Sequence, residues 1–255
     1  MTDMQTERLD GYGGAKLAVH RLSADKDRAR TVLLLHGLFS SAAINWEKFG
    51  HARKLADAGF DVIMPDLRAH GQSDAPHDAA AYPGDVLVRD VLSLVDQLGL
   101  DDYDLVGFSL GSRTAVRSVL AGLSPRRLIL GGMGIEGLGN WARRSAFFVD
   151  AIDRYDEIKH GDPAFVARSF MRTQKVDLVA ARLLLQSVDD TPPEALAGVT
   201  MPTLVLCGAD DRDNGSAPAL AEALPDARYV EIPGTHMSSV TRPEMGDAMV
   251  AFLTA

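Results

Sequence analysis

Three residue types in the 255-residue chain are spaced to act as a nucleophile, a base and an orienting acid. Ser109 lies in Tyr103-Asp-Leu-Val-Gly-Phe-Ser-Leu-Gly-Ser-Arg113, where a short apolar run ends in Gly-x-Ser-x-Gly and a helical pattern follows from Thr114 to Leu120. When a strand turns directly into a helix, the apex residue is pushed into a sparsely allowed backbone conformation, and bulky neighbours two positions away collide. Gly107 and Gly111 occupy those two positions. Such a turn holds the Ser109 hydroxyl clear of the backbone, beside a helix N-terminus that favours negative charge. A serine so placed needs a base, and the base needs an acid to orient it. His236, in Ile-Pro-Gly-Thr-His-Met-Ser-Ser, follows a predicted strand, and Asp210 and Asp211, in Leu-Cys-Gly-Ala-Asp-Asp-Arg-Asp-Asn, follow the strand before it. A parallel sheet would bring all of these to one edge, with the choice between the two aspartates open.

The elements that would position them alternate. Residues from about Glu7 to Arg21 read as two short strands around the turn Gly11-Tyr-Gly-Gly14. Strand runs follow at Thr31–Leu35, Phe60–Met64, Arg127–Leu130, Thr203–Cys207 and Arg228–Ile232, besides the one leading to Ser109. Between them fall helical patterns at about Asn45–Ala58, Gly84–Leu98, Pro218–Ala223 and Pro243–Leu253. Strands alternating with helices predict an α/β fold with a mainly parallel sheet and helices on both faces. One stretch departs from this rhythm. From about Gly139 to Ala197 only helical segments are legible, near Trp141–Tyr155, Pro163–Thr173 and Asp177–Val188. An all-helical insertion that enters and leaves at strand ends reads as a lid over the edge where open α/β sheets place ligands. We therefore expect a core of residues 1–133 and 199–255 and a helical lid of residues 134–198, inserted before the last two strands.

Composition narrows the partners. A formal net charge of −9 disfavours nucleic acid and anionic membrane surfaces, both of which are negative. Met1–Arg8 has charge but no apolar signal core, and no segment approaches a membrane span, so a cytoplasmic location is expected. The lone cysteine, Cys207, permits no internal disulfide and reads as buried filler at a strand end.

Taken together, His36-Gly37 after an early strand, Asp66-Leu-Arg-Ala-His-Gly-Gln-Ser73, Gly107-Phe-Ser-Leu-Gly111, Gly208-Ala-Asp-Asp211 and Pro233-Gly-Thr-His236 resemble the α/β-hydrolase superfamily over nearly the whole chain. In that family the acid usually lies three residues after the glycine that ends its strand, which selects Asp211 over Asp210, with Asp213 a distant third. The resemblance implies cofactor-free acyl transfer. His236 would take the Ser109 proton as the serine attacks a carbonyl, Asp211 would fix the imidazole tautomer, and water would release the acyl group. It also implies an oxyanion hole from the backbone N–H groups of Leu38 and Leu110, with Phe39 as a substitute for Leu38. A serine at the elbow argues against the epoxide hydrolases and haloalkane dehalogenases of the superfamily, which carry aspartate there. Carbon–carbon bond hydrolases and a non-hydrolytic small-molecule receptor are the alternatives.

The remaining candidates carry less chemistry. His36 reads as positioning its loop, and Asp66, Arg68 and His70 as tying their loop together. His20, His51, His77 and His160 lack a partner pattern and read as surface residues. Gly132-Met-Gly134-Ile-Glu-Gly137 fits Gly-x-Gly-x-x-Gly but lacks the following strand and acidic residue of a dinucleotide site, and no spacing suggests a metal. In the lid, Trp141, Phe147, Phe148, Phe165, Phe170 and Met171 suit an apolar acyl pocket or plain packing. Phe39, Trp141 and Phe148 are taken as the substrate-binding candidates. No basic cluster singles out an acidic substrate, so the expectation is a medium-sized, largely apolar acyl or aromatic ester.

Overall fold

A computed structural model describes residues 4–24 and 29–255, so part of the N-terminal segment assessed for a signal core, residues 1–3, lies outside the described residues. Eight strands form one sheet in the order β1-β2-β4-β3-β5-β6-β7-β8. They are β1 (Gln5–Asp10), β2 (Lys16–Leu22), β3 (Arg30–Leu35), β4 (Phe60–Pro65), β5 (Tyr103–Phe108), β6 (Leu128–Gly131), β7 (Thr203–Gly208) and β8 (Ala227–Ile232). The first two form the expected hairpin and β2 pairs antiparallel with β4; every pairing from β4 to β8 is parallel.

Both faces of the parallel strands are covered, which is why these strands read as continuous apolar runs. Along β3, Leu33 and Leu35 enter one core while Val32 and Leu34 enter the other, and all four are fully buried. Helices α2 (Val86–Gln97), α3 (Leu110–Leu120) and α7 (Ala217–Ala223) contribute to the first core. The second is closed by α1 (His51–Asp57) and α9 (Pro243–Thr254). Between β6 and β7 the described residues form α4 (Trp141–Asp153), α5 (Phe165–Thr173) and α6 (Leu178–Leu185), with no strand, and they extend the first core through Ala151, Met171, Ala180 and Leu184. Among the described residues no helix is long and apolar enough to cross a membrane.

The structure corrects four local expectations. The helix expected over Asn45–Ala58 is broken into a wide turn at Ala43–Glu47, with Lys48 N–H bonded to the Ala43 carbonyl at 2.9 Å, and α1 after it. Gly50 makes the break at φ 79°, a conformation open to glycine. Helix α3 starts at Leu110 rather than Thr114, because its first turn, Leu-Gly-Ser-Arg, is set by packing and has no apolar period to reveal it. A four-residue helix, α8 (His236–Ser239), was not among the expected elements. Finally, His20 and His51 are buried rather than on the surface. His20 bonds Thr6 Oγ1 at 2.8 Å and Asp66 at 3.2 Å, and His51 Nε2–H donates to the Val240 carbonyl at 2.6 Å between α1 and the segment before α9. Their partners lie 14 to 189 residues away, beyond any local pattern.

Buried polar pairs hold the loops after the strands. Arg68, 1% exposed, donates to both oxygens of Asp90 on α2 at 2.9 and 2.6 Å and to the Tyr12 and Ala81 carbonyls. Burial pushes the Asp90 carboxyl upward, and the Arg68 bonds and charge oppose that rise. Removing one partner of such a pair leaves a buried charge uncompensated. Asp90→Ala is therefore expected to lower unfolding free energy by about 3–5 kcal/mol in urea titrations; a loss below about 1 kcal/mol would show that solvent or another group satisfies Arg68.

Candidate active site

The site begins with two close backbone approaches. A Cβ at Gly107 would collide with the Gly111 carbonyl and the Ser112 nitrogen, and one at Gly111 with the Leu35 carbonyl at the end of β3. With both positions empty, β5 turns into α3 within a single residue. That residue is Ser109, at φ 53° and ψ −112°, held by its N–H on the Gly131 carbonyl at 2.8 Å and by its own carbonyl, which accepts from Arg113 N–H at 3.0 Å. Ser109 is 8% exposed.

His236 reaches this serine from the first position of α8. Thr235 caps that helix: its Oγ1 accepts from Ser238 N–H at 3.3 Å while Ser238 Oγ accepts from Thr235 N–H at 2.8 Å. The Thr-x-x-Ser spacing was the signal by which α8 could have been found. His236 Nε2 lies 3.0 Å from Ser109 Oγ, and His236 Nδ1 lies 2.8 Å from Asp211 Oδ2. The neutral tautomer with Nδ1–H toward the carboxylate leaves Nε2 free to accept the serine proton. Asp211 also accepts from Asp213 N–H at 3.0 Å, and the Cys207 thiol lies 3.5 Å from its Oδ2. Burial would raise the Asp211 carboxyl, but the bond and charge of His236 and the Asp213 N–H hold it below the usual range. Asp210, exposed, bonds through its N–H to the Gly234 carbonyl and has no side-chain bond to His236. Cys207 is buried as expected, and burial beside Asp211 pushes its thiol to about 12, so it is unreactive as a thiolate.

The opposite wall is the loop after β3. Gly37 lies against Ser109, where an added Cβ would sit 3.5 Å from the serine Cβ. Two histidines hold this loop. His36 Nε2 accepts the Leu67 N–H at 2.9 Å, and its Nδ1–H donates to the Gly37 carbonyl at 2.8 Å. His70 Nε2 accepts the Phe39 N–H at 2.9 Å, and its Nδ1–H donates to the Arg68 carbonyl at 2.9 Å. Phe39 is thus left at φ 59°, and its N–H is no longer available to an oxyanion. The Leu38 N–H has no such acceptor among the described residues, and Leu110, as the first residue of α3, has none in its own helix. Asp66 ties the loop to the sheet, accepting from Ala42 N–H and Gln72 N–H, both at 2.8 Å, and bonding His20. Residues 66, 68 and 70 therefore hold neighbouring loops and helices more than one another.

The substrate candidates separate. Phe39 and Phe148 meet edge to face with centroids 5.4 Å apart, which sets α4 over the loop beside Ser109. Trp141 is committed elsewhere: its indole N–H donates to the Leu185 carbonyl at 2.8 Å, and the Arg113 guanidinium lies over its ring. The glycines of Gly132-x-Gly134-x-x-Gly137 face the Phe108 and His236 rings, the Gly215 backbone and the Met133 and Asn214 side chains, so their missing side chains serve packing. Among the described residues no three His, Cys, Asp or Glu side chains gather as a metal site needs.

Comparison with known proteins places this architecture. A family model described as the alpha/beta hydrolase fold matches residues 30–126. Epoxide hydrolase A of Mycobacterium tuberculosis is 36% identical over 107 residues, 42% of this chain and 32% of that protein. The 2-hydroxy-6-oxononadienedioate/2-hydroxy-6-oxononatrienedioate hydrolase of Klebsiella pneumoniae is 34% identical over 130 residues, 49% of this chain and 43% of that protein. The match thus spans less than half the length of these curated relatives. A crystal structure of a hydrolase from Pseudomonas aeruginosa superposes with a TM-score of 0.76 at 23% identity, covering 98% of this chain and 99% of that one. The chain has the α/β-hydrolase fold.

Burial lowers the His70 imidazole to about 3, with the neighbouring His36 adding to the effect, and burial lowers His36 as well. A histidine kept neutral in the fold while the unfolded chain protonates near 6.5 makes stability rise with pH. Its contribution is fully present above about pH 6.5 and lost as pH falls from there toward about 3. For His70 the wild type should lose up to about 1.4 kcal/mol per pH unit across that window, and His36 adds to the loss in the same direction. In urea titrations from pH 7 to 4, His70→Gln, whose amide oxygen can still accept the Phe39 N–H, should remove one proton's share of the slope; an unchanged slope contradicts the assignment.

Proposed function

We propose that the chain is a cofactor-free serine hydrolase that cleaves a carboxylic ester or related acyl compound through an acyl-enzyme on Ser109. The observation that carries this reading is the unbroken relay from Ser109 Oγ to His236 Nε2 at 3.0 Å and from His236 Nδ1 to Asp211 Oδ2 at 2.8 Å. His236 accepts the hydroxyl proton as Ser109 attacks the carbonyl, and returns it to the leaving group; Asp211 stabilises the imidazolium in between. The developing oxyanion sits between the Leu38 and Leu110 N–H groups, whose positions are set by the backbone and need no reorganisation. Water then repeats the cycle and frees the acid. The helices of residues 134–198 act as the lid over a core of residues 1–133 and 199–255, and Phe39 and Phe148 line the acyl pocket.

Serine at the elbow weighs against epoxide chemistry of the kind named for the Mycobacterium relative. A carbon–carbon bond hydrolase would use the same three side chains, and the Klebsiella relative is named as a hydrolase of 2-hydroxy-6-oxononadienedioate and 2-hydroxy-6-oxononatrienedioate. The loop Leu38-Phe-Ser-Ser41 lacks the Gly-rich character common in that group, so the ester reading is preferred.

A fluorophosphonate probe should label folded wild type on Ser109 and leave Ser109→Ala unlabelled by peptide mass mapping; no adduct on Ser109 counts against the reading. In a p-nitrophenyl ester screen run beside a vinylogous diketone, hydrolysis of the diketone alone would select the carbon–carbon alternative. Asp211→Asn should lower kcat by about a thousand- to ten-thousandfold through the wrong imidazole tautomer, while Asp210→Asn stays close to wild type. The reverse order would move the acid to Asp210.

A further inference from the structure

Helix α4 turns one face toward the strand ends. Arg144 and Phe148 are four residues apart and share that face. Phe148 touches Phe39 in the loop beside Ser109, and Arg144 Nη1 donates to the Asp213 carbonyl at 2.6 Å, two residues beyond Asp211. The Arg144 guanidinium lies 5.8 Å from the Phe148 ring centroid. It thereby joins the loop that carries Asp211 to the helix face whose Phe148 meets Phe39, next to Leu38.

Its partners are incomplete. The buried arginines Arg68 and Arg113 each hold a carboxylate, Asp90 and Asp190. Arg144 is partly buried, yet among the described residues it has no carboxylate within salt-bridge distance and a single protein acceptor, a backbone carbonyl, for a fork of five donors. Burial presses its charge downward, and Asp213 and Asp211 only partly oppose that. Asp211 is engaged by His236, and Asp213 meets Arg144 through its main-chain carbonyl. A guanidinium with free parallel donors in a partly desolvated cleft is a ready bidentate receptor for a planar anion.

We infer that Arg144 binds a carboxylate of the substrate, so that the compound cleaved at Ser109 is an acid as well as an acyl donor. This rests on the hydrolase reading above and sharpens it: one end of the substrate is apolar against Phe39 and Phe148, and another is anchored by charge beside the acid loop. The sequence showed no basic cluster because a single arginine suffices when the cleft is partly desolvated.

The test compares mono-p-nitrophenyl adipate with its uncharged counterpart, methyl p-nitrophenyl adipate. Wild type should favour the carboxylate ester by about tenfold or more in kcat/KM, Arg144→Gln should bring the ratio near one mainly through KM, and Arg144→Lys should restore part of it. No preference in wild type, or a ratio unmoved by Arg144→Gln, overturns the inference while leaving hydrolysis intact. If wild type turns over neither ester faster than Ser109→Ala does, the hydrolase reading fails instead, and binding decides the role of Arg144. Calorimetric titration of monomethyl adipate into Ser109→Ala should then give an affinity about fivefold or more above that of Ser109→Ala/Arg144→Gln. Equal affinities, or no binding to either protein, overturn the inference.

Discussion

The Leu35 carbonyl occupies the place where residue 111 would carry a side chain, and that contact is the constraint on which the molecule turns. It seats the first turn of α3 on the end of β3, so β5 has one residue in which to reverse into the helix, and Ser109 takes a backbone conformation that residues with side chains seldom adopt. Strain of this kind survives only where the surroundings over-determine it. Here the Gly131 carbonyl, the Arg113 N–H and two parallel neighbours of β5 all hold the turn. A hydroxyl presented this way loses little entropy on reaction, because the cost of ordering it was met when the sheet formed.

The relay beside it is built by separate means that converge. The acid comes from a loop after β7, braced by the Asp213 N–H; the imidazole comes from a short capped helix after β8. Gly234, at φ 113°, brings its carbonyl against Gly208, so the loops carrying Asp211 and His236 are pressed together by main chain as well as by those two side chains. Parallel pairing of β7 with β8 then fixes their spacing. Opposite them, neutral histidines hold the loop containing Leu38, an arrangement that low local polarity favours.

The order of strands and helices was legible because the strands are covered on both faces, and their apolar runs stand out from the helical patterns between them. The residues of the relay were legible because each follows a strand and the glycines mark the turns. What escaped was set by contacts distant in sequence. His20 and His51 gave no local sign of burial, since their acceptors come from other parts of the chain. The positive φ of Phe39 follows from the His70 bond, and a bulky aromatic is the last residue composition would suggest for it. Trp141 was a reasonable pocket candidate by type, but its indole N–H needed an acceptor and found one on α6. Arg144 carried no signal, because an arginine in a helical pattern looks the same whether it faces water or a cleft.

The edge hairpin has a stake in the chemistry that its distance conceals. Through Thr6 and His20 it grips Asp66, the carboxylate that anchors the wall opposite the imidazole. An attachment close to β1 acts on that grip, whereas one after α9 acts on a helix end whose Leu253 carbonyl is held by Arg30 of β3 and by Arg127. For anyone immobilising or circularly permuting the protein, the backbone beside β1 and the backbone beside α9 are therefore unequal choices.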